Sequence, residues 1–379
     1  MHICHVGNMA NDGYATVKAL RAAGVNVELL IDPSDFGMGL PQWEIHDIMD
    51  DPYQMSLSKL NDYPLPEWVK IYTREKNPFK KAVDLFKATR GYDLLHCHFP
   101  TFNYLQFSRT PYLIYEAGFL RKIHDYNTHP KGRMNWEHLG LDAFRGAECV
   151  TWTNTDMKPM IDAVGVNFDA FIPFAIDTNR YIPTTKRGES DELQLFHPTR
   201  QTWNVKGNDR LLRAFTRLIK AGAEAHLTLV DWGYAEDVQA AKTLLKPVEE
   251  HVSWVPPMSK PRLIKTYQES DVVVDQFLLG ASGTAGFEAM SCGKPLLMYF
   301  SESATRCFGE KPPHLDARCE DDILVGLMRL RDANLREKLG AEARGFVERR
   351  LSEVVVARRL RDIYDAVYHK AEEPRRLIP

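Results

Sequence analysis

The sequence contains no run of about 20 apolar residues, which is the length that a helix needs to cross a bilayer. Its first residues, MHICHVGNMANDG, also lack the basic segment and the apolar stretch of a secretory signal. These two features predict a cytoplasmic protein and leave open attachment at the inner face of a membrane.

Cysteine is sparse and scattered. The six cysteines form no CxxC pair and show no regular spacing, which argues against a zinc site and against a disulfide framework. His96 and His98 alternate along one strand, but no carboxylate or thiol is spaced to complete a metal site with them. We therefore favour a packed or acceptor-facing histidine pair and predict no metal.

Charge is balanced and a dinucleotide motif is missing. With 48 Lys and Arg against 51 Asp and Glu, the net charge is −3, so the chain as a whole is no polycation and nucleic acid is not an expected partner. No GxGxxG follows the first strand, which argues against a dinucleotide cofactor. We predict no cofactor.

Short apolar runs alternate with helix-patterned segments, and this pattern predicts parallel sheets joined by helices. It starts near Met1 and again near Leu193, so we expect an α/β protein of two doubly wound domains. The strand candidates are residues 2–6, 27–31, 94–97, 112–115, 149–153, 193–197, 226–230, 252–254, 272–275 and 296–299. We also expect a helix over 209–221 capped by Asn208, a linker at 172–192 and a long excursion at 33–79.

The clearest chemical signal lies in residues 272–299, VVVDQFLLGASGTAGFEAMSCGKPLLMY. A loop of small residues, 280–283, follows an apolar strand and opens a helix that stops at Gly293. Backbone N–H groups and the helix dipole at such a start bind phosphate. Glu288 lies roughly 7 Å further along the helix axis, where it could accept hydrogen bonds from ribose. An ordinary turn whose small residues permit close packing is an equally good interpretation.

A second signal is LFHPTRQTWNVKGNDRLLRAF, residues 195–215. Arg200 and Lys206 share one loop between a strand and a helix, where two cations could neutralise a diphosphate. Two solvated surface charges are the favoured interpretation of this pair taken alone.

Together the two segments closely resemble the C-terminal half of family 4 of the glycosyltransferases, which have the GT-B fold. PFAIDTNRYIP at 173–183 is similar to the family's interdomain segment, and VSWVPPMSKPRLIKTYQESDVVVD at 252–275 looks like the segment before its phosphate loop. The resemblance is continuous over about 145–367. Over 1–144 it depends on strand order and on DLLHCHFP.

The resemblance implies two Rossmann-like domains that face a central cleft. The acceptor-side domain would span 1–173, the nucleotide-sugar domain 174–354, and the last helix, about 355–370, would cross back to the first domain. It implies transfer of a sugar, with retention, from a UDP- or GDP-type donor to a glycan, lipid-linked or small-molecule acceptor. An epimerase or hydrolase on the same framework and an inactive nucleotide-sugar-binding protein remain as alternatives.

The resemblance also assigns roles. Arg200 and Lys206 would bind the diphosphate and stabilise it as it leaves, and Glu288 would hold the ribose. The groups at the helix start that would face phosphate are Ser282, Gly283 and Thr284. The stretch that ends at Pro256 would pass near the nucleobase.

The chain departs from the family at two positions. Gly280 stands where a first glutamate is often found, so recognition of the donor sugar must use other groups. Glu116 follows the strand where the family usually has a histidine. Because the carboxyl ends of strands face the ligand crevice in this architecture, Glu116 is a candidate for contact with a sugar hydroxyl or an acceptor.

Two further regions are candidates on the acceptor side. Gly7, Asn8 and Asn11 follow the first strand and, with His98, would line the cleft; a plain turn capped by Asn11 or Asp12 is about equally favoured. Residues 70–90 are rich in Lys and Arg with aromatic neighbours, which suits contact with an anionic membrane or a lipid-linked acceptor. A solvated basic helix is the favoured interpretation of that segment.

Overall fold

The computed structural model describes residues 1–32, 39–48, 63–73, 75, 77–123, 136–184 and 192–369. Their contacts divide the chain into two compact units. Unit 1 draws on Met1–His46, Pro52–Ala175 and Leu351–Pro379, and unit 2 on Asp47–Asp51 and Ile176–Arg350. Asp47 and Ile48 belong to unit 2 because they bond Arg262 and Ser259.

Unit 1 is built on a parallel sheet in the order β3-β2-β1-β4-β5-β6-β7. The strands are β1 Ile3–Val6, β2 Val27–Ile31, β3 Val69–Ile71, β4 Leu94–His98, β5 Tyr112–Glu116, β6 Cys149–Trp152 and β7 Asp169–Phe171. Its first helices are α1 Asp12–Ala22, α2 Pro41–Ile45, α3 Pro78–Ala88, α4 Phe102–Leu105, α5 Trp136–Gly146 and α6 Lys158–Val164. The strand order reverses direction between β1 and β4, and this is the switch point at which open α/β sheets bind ligands.

Unit 2 repeats the plan with a parallel sheet in the order β10-β9-β8-β11-β12-β13. The strands are β8 Leu193–His197, β9 Ala225–Val230, β10 Val252–Val255, β11 Val272–Val274, β12 Leu296–Met298 and β13 Leu315–Asp316. The helices are α7 Trp203–Lys206, α8 Asn208–Lys220, α9 Ala235–Leu245, α10 Lys260–Glu269, α11 Thr284–Ser291, α12 Glu302–Phe308, α13 Glu320–Arg329 and α14 Ala333–Arg350. Its switch point lies between β8 and β11.

The last helix, α15 Glu353–Tyr368, returns to unit 1. Val356, Leu360 and Tyr364 are fully buried in the same core as Val17 and Leu20 of α1. Burial of this apolar face against α1 drives the return, since each large side chain contributes about 1.5–3 kcal/mol on burial. The prediction of two doubly wound domains with a returning C-terminal helix is confirmed.

One local prediction was wrong. Asn208 does not cap α8; Gly207 occupies the cap in the left-handed region (φ +68°), and the Asn208 side chain instead accepts a hydrogen bond from Thr202 N at 3.0 Å. The segment 172–192, predicted as a linker, contains the boundary between the two units, after Ala175. Beyond that boundary, Arg344 of α14 donates to the carbonyl oxygens of Thr178 and Tyr181 at 2.8 and 2.6 Å and so fixes this part to unit 2.

Strands β3, β7 and β13 were missed by the sequence analysis. Each has two or three residues and lies at the edge of its sheet, so none carries the apolar run of a central strand. Of the predicted excursion at 33–79, residues 33–38, 49–62, 74 and 76 lie outside the described residues, and the described part contains α2 and β3. Over the described ranges, no helix is long and apolar enough to cross a membrane.

Candidate functional site

One buried carboxylate, Asp275 at the end of β11, joins the two loops that carry the chemical signals. Thr199, after β8, donates its hydroxyl to Asp275 Oδ1 at 2.7 Å, and Ser282 donates to Oδ2 at 3.0 Å. Because β8 and β11 are neighbouring parallel strands, both loops leave the sheet at its switch point. The structure thus brings the 200–206 loop and the 280–284 loop to one place.

A second link holds the 200–206 loop at the switch point of the sheet. Phe277 N donates to the carbonyl oxygen of Lys206 at 2.8 Å. His197 Nδ1 bonds Val274 O at 2.7 Å and its Nε2 accepts from Asn208 Nδ2 at 2.8 Å, which fits a neutral ring. Burial, aided by the nearby Lys206 charge, lowers the pKa of His197 to about 4. The neutral imidazole therefore braces the loop across the working pH range.

The start of α11 is open. Gly283 precedes the helix in an extended conformation, and no side chain caps the first N–H groups. A Cβ placed on Gly283 would meet no heavy atom within 4 Å, whereas one on Gly286 would lie 2.2 Å from Ser282 Oγ. Both interpretations that the sequence left open keep support: Gly286 permits close packing, and Gly283 leaves space at the start of the helix, where backbone N–H groups can bind an anion.

Arg200 is exposed on the loop after β8, which Asp275 links to the loop before α11. Its guanidinium lies 5.9 Å from the ring centroid of Trp232, within the range of a cation–π contact. Across the residues that the structure describes, no carboxylate forms an ion pair with Arg200. Within those described residues, its charge therefore has no acidic partner.

Glu288, in the second turn of α11, is the most heavily bonded carboxylate of the site. Lys260 forms an ion pair with its Oε1, Tyr181 donates to the same oxygen at 3.1 Å, and Tyr267 donates to Oε2 at 3.3 Å. The side chains of Glu288 and Lys260 are 5% and 14% exposed. The sequence analysis missed Lys260, Tyr181 and Tyr267 as partners, because they come from separate elements whose spacing along the chain says nothing of this contact.

The segment that ends at Pro256 leads along the chain to Lys260, which forms the ion pair with Glu288. Pro256 is exposed and follows β10, and residues 256–259 lead into α10, whose first residue is Lys260. The loop predicted to pass near a nucleobase is thus connected to the group predicted to hold ribose.

Gly280 has a structural reason to lack a side chain. Its φ is +70°, and a Cβ there would lie 2.8 Å from Tyr299 Cε1 and 2.9 Å from Ser301 Cβ. Its carbonyl oxygen also accepts from Ser301 N at 2.9 Å. A glutamate at this position would need a shift of the backbone. The conformation of the loop is therefore the structural reason for glycine where the resembled family often has glutamate.

Glu116 of unit 1 is fully buried and bonds its own loop. Oε1 accepts from Gly118 N at 2.5 Å and from Leu120 N at 3.4 Å, while Oε2 has no partner among the described residues. Burial raises the pKa of Glu116 to about 7, and the backbone N–H groups oppose this shift. The carboxyl group organises the turn after β5, and its role toward a ligand stays a prediction.

The loop after β1 is also internally bonded. Asn8 Oδ1 accepts from Tyr14 N at 2.7 Å, and its Nδ2 donates to Asn11 Oδ1 and Gly39 O at 2.9 and 2.7 Å. Asn11 stands at the cap position of α1, but the cap bond comes from Asn8. Gly7 needs to be glycine, since its φ is +95° and a Cβ would lie 2.9 Å from that of His98.

His98 and His96 are packed inside unit 1. His98 stacks on Tyr115 at a centroid distance of 4.4 Å, and neither ring nitrogen has a partner in the described ranges. His96 and His5 both bond the Tyr364 hydroxyl, at 2.8 and 2.7 Å. Burial lowers the pKa of His98 to about 3. The part of the chain that the structure covers contains no group of three His, Cys, Asp or Glu side chains that could hold a metal.

Comparison with known proteins identifies the domain that carries the site. Residues 186–312 match the family model described as glycosyl transferases group 1. The match covers about a third of the chain and lies within unit 2. It is 27% identical over 197 residues to a D-inositol 3-phosphate glycosyltransferase from Jonesia denitrificans, a match that covers 49% of this chain and 46% of that relative. The chain thus spans about half the length of the curated relative it matches.

Solved structures of this group cover nearly the whole chain. Sucrose-phosphate synthase from Thermosynechococcus elongatus superposes with a TM-score of 0.68 at 15% identity, over 98% of this chain and 100% of that one. Anabaena Alr3699/HepE in complex with UDP and glucose gives 0.70 at 13% identity, over 97% and 100%. A Listeria monocytogenes protein described as a putative UDP-N-acetylglucosamine 2-epimerase gives 0.60 at 12%, over 98% of each chain. At these identities the likeness shows the GT-B fold.

Proposed function

We propose that the protein is a glycosyltransferase that moves a sugar from a nucleotide diphosphate donor, bound by unit 2, to an acceptor bound by unit 1. Three findings support this function: the family match of residues 186–312, the GT-B fold, and the two loops that meet at Asp275. The curated relative and the HepE complexes are similar proteins that act on or bind such compounds.

The observation that carries the proposal is the meeting of an exposed guanidinium and an open helix tip at one switch point. Arg200 extends from the loop after β8, and the uncapped N-terminus of α11 follows β11. The two loops are held together through the Asp275 carboxylate. A diphosphate is the ligand that suits both a guanidinium and a helix N-terminus.

In the mechanism that we infer, unit 2 stabilises the leaving group. As the bond between the sugar and the diphosphate breaks, negative charge develops on the phosphate oxygens. Arg200, Lys206 and the N–H groups at Gly283 and Thr284 would bind that charge more strongly than the charge of the intact donor, which is how such preorganised groups lower a barrier. We further propose that the anomeric configuration is retained, as in the family that the sequence resembles.

A binding titration tests the donor site. Thermal shifts with UDP, GDP and ADP should show stabilisation by one of them. Arg200→Ala combined with Lys206→Ala should weaken that nucleotide about 100-fold or more, because each charge-assisted bond contributes about 1.5–3 kcal/mol. Arg213→Ala, which removes an exposed cation of α8 paired with Asp209, is the matched control and should bind as the wild type does. Near-wild-type affinity in the double variant contradicts the site assignment.

An epimerase or hydrolase is the second candidate, because the fold is shared with the Listeria protein described above. Such an enzyme consumes or isomerises its donor without an acceptor, whereas a transferase needs one. Incubating the protein with a matched nucleotide sugar alone and following the donor by NMR separates the two. Full conversion of the donor in the absence of an acceptor would exclude the transferase.

We also propose a cytoplasmic protein that contacts an anionic membrane surface through α3. Phe79 and Val83 are 85% and 50% exposed on this helix, and Lys80 and Lys87 are exposed on it too. Apolar side chains flanked by cations suit the boundary between headgroups and acyl chains. Flotation with vesicles that contain phosphatidylserine should recover the wild type, and Phe79→Ser with Val83→Ser should lower recovery. Equal recovery of both proteins contradicts the contact.

A further inference from the structure

Three histidine rings lie inside unit 1, next to the helix that returns to it. His5 on β1 and His96 on β4 are paired residues of the parallel sheet, and His98 follows on β4. All three rings are buried, and the ring centroids of His5 and His96 are 4.5 Å apart. The hydroxyl group of Tyr364, on α15, lies 2.7 Å from His5 Nε2 and 2.8 Å from His96 Nδ1. A buried polar network therefore connects α15 to the sheet.

The hydrogen bonds of this network fix where each proton lies. The Thr151 hydroxyl donates to the carbonyl oxygen of Ile114 at 3.2 Å, so it accepts from His96 Nε2–H at 2.8 Å. His96 Nδ1 is then an acceptor, and the Tyr364 hydroxyl donates to it. The oxygen of Tyr364 in turn accepts from His5 Nε2–H. The network is thus complete when both rings are neutral.

A proton added to either ring does not fit this network. His5 Nδ1, which would carry it, has no partner in the part of the chain that the structure describes. On His96 the added proton would lie on Nδ1 and displace the hydrogen that Tyr364 donates there. That hydrogen cannot turn to His5 Nε2, 3.2 Å from His96 Nδ1, because this nitrogen already carries one. Protonation of His96 therefore breaks a bond that holds Tyr364.

The surroundings of the rings supply no countercharge. Over the described ranges, no carboxylate bonds any of the three rings; Asp12 of α1 accepts instead from the Tyr115 hydroxyl of β5, at 3.2 Å. Tyr115 itself stacks on His98. The other titratable groups on the strands around the rings are thiols and one carboxyl: Cys149 on the face of Thr151, and Cys4, Cys97 and Glu116 on the opposite face. The charged side chains of α15 are exposed or partly exposed: Glu353, Arg358, Arg359, Arg361, Asp362 and Asp365.

Burial makes the network sensitive to acid. It lowers the pKa of His5 and of His96 well below the usual value, and the neighbouring histidines lower it further. In water each ring titrates near 6.5. A group whose pKa is lowered in the packed state stabilises that state above its pKa in water, and this stabilisation is lost as the pH falls. Because water reaches the rings once α15 leaves, acid favours its release.

We propose that the His5–Tyr364–His96 network is a pH-sensitive switch: uptake of protons by the two rings releases α15 from unit 1 while the strands stay paired. The helix is the part that leaves, because it is held to the rings by one hydroxyl group and to α1 by apolar contacts. The strands that carry the rings are each bonded to a strand on either side. The inference is independent of the proposed reaction, since it concerns the packing of unit 1 alone.

Hydrogen exchange with mass spectrometry on the full chain tests the switch at pH 7.5 and pH 5.5, with each rate divided by the intrinsic rate at that pH. The readout compares peptides from α15 with peptides from β5 and β8. His5→Gln keeps an N–H toward Tyr364 and His96→Gln keeps one toward Thr151, but neither takes up a proton. His226→Gln is the matched control, the same substitution on a strand of unit 2. Thermal melting at pH 7.5 verifies that each variant folds.

We expect the equilibrium constant for the opening of α15 to rise about 100-fold between pH 7.5 and 5.5, which is about tenfold for each ring that titrates near 6.5 after release. The peptides of β5 and β8 should keep their protection. Each single Gln variant of His5 or His96 should reduce the rise to about tenfold, the double variant should abolish it, and His226→Gln should respond as the wild type does.

Tyr364→Phe tests the network without changing a histidine. It removes the hydroxyl and keeps the apolar ring, so α15 should open about tenfold more readily at pH 7.5 already. Unchanged protection of α15 in this variant overturns the inference, and so does unchanged protection of the wild-type helix at pH 5.5. Loss of protection in β5 together with α15 would show unfolding of the whole unit and also refutes the switch. A double Gln variant that responds to acid as His226→Gln does has the same consequence.

Discussion

Replacing Glu288 by Gln separates the structural role of this carboxylate from the ribose-binding role that we predict for it. Glu288 holds Lys260 and two tyrosine hydroxyls in a nearly closed environment. The substitution keeps the shape but removes the charge that Glu288 supplies to the Lys260 ammonium, which is 14% exposed. Loss of one partner of a buried pair costs about 3–5 kcal/mol.

This cost predicts a large shift in thermal stability. For a unit of 150–250 residues, 1 kcal/mol corresponds to about 2–4 °C in Tm, so Glu288→Gln should lower the Tm of unit 2 by about 6–20 °C. Differential scanning calorimetry of the full chain measures it. Adding Lys260→Met removes the stranded charge, and the double variant should regain most of the lost stability, because replacing a whole buried pair by apolar groups is often neutral.

The double variant then tests the ribose assignment. If Glu288 also holds ribose, the stable double variant should bind the preferred nucleoside diphosphate about tenfold more weakly than the wild type. If it binds equally well, Glu288 is a structural anchor and the ribose role is refuted. A Tm loss below about 3 °C in Glu288→Gln would instead refute the buried ion pair.

Three further outcomes follow from the structure. The buried His98 stays neutral in the fold, with a pKa of about 3 against about 6.5 when unfolded, so its contribution is fully present well above pH 6.5 and is lost as the pH falls toward 3. His98 alone should lower the stability of unit 1 by about 2.3 kcal/mol between pH 6.5 and 4.5, measured by urea unfolding, and His98→Phe should make the pH profile less steep. Gly280→Ala should lower stability by about 1–2 kcal/mol, because its φ is +70° and Ser301 leaves no room for a Cβ; an unchanged urea midpoint contradicts this. Gly286→Ala should weaken nucleotide binding in thermal-shift titrations more than Gly283→Ala does, because its Cβ displaces Ser282 while that of Gly283 enters open space.

The sequence predicted the architecture well because central parallel strands are buried on both faces. Apolar runs such as Leu193–His197 and Val27–Ile31 coincide with strands in the structure. The short edge strands were missed for the same reason: β13 spans two residues and carries no run that distinguishes it from a loop. Amphipathic spacing likewise placed α8 within one residue of its position.

The positions of the two loops, 200–206 and 280–284, could also be predicted from the sequence, but the side-chain contacts of these loops could not. Motif spacing pointed to Arg200 and to the start of α11, because a loop of small residues before a helix is visible in sequence. It did not reveal Asp275 as the bridge between the loops, nor the cap at Gly207 in place of Asn208. Side-chain bonds between residues far apart in sequence leave no periodic signal.

The sequence by itself therefore determined which segments become strands and helices and which loops hold Arg200 and the small residues before α11, since these follow from burial, periodicity and turn chemistry along the chain. Only the tertiary structure decided how groups from separate elements combine: Glu288 with Lys260, Asp32 with Lys81 and Tyr364 with His96. The physical reason is that such pairs depend on the order of strands in the sheet, which places residues 28, 49 and 268 positions apart within hydrogen-bonding distance.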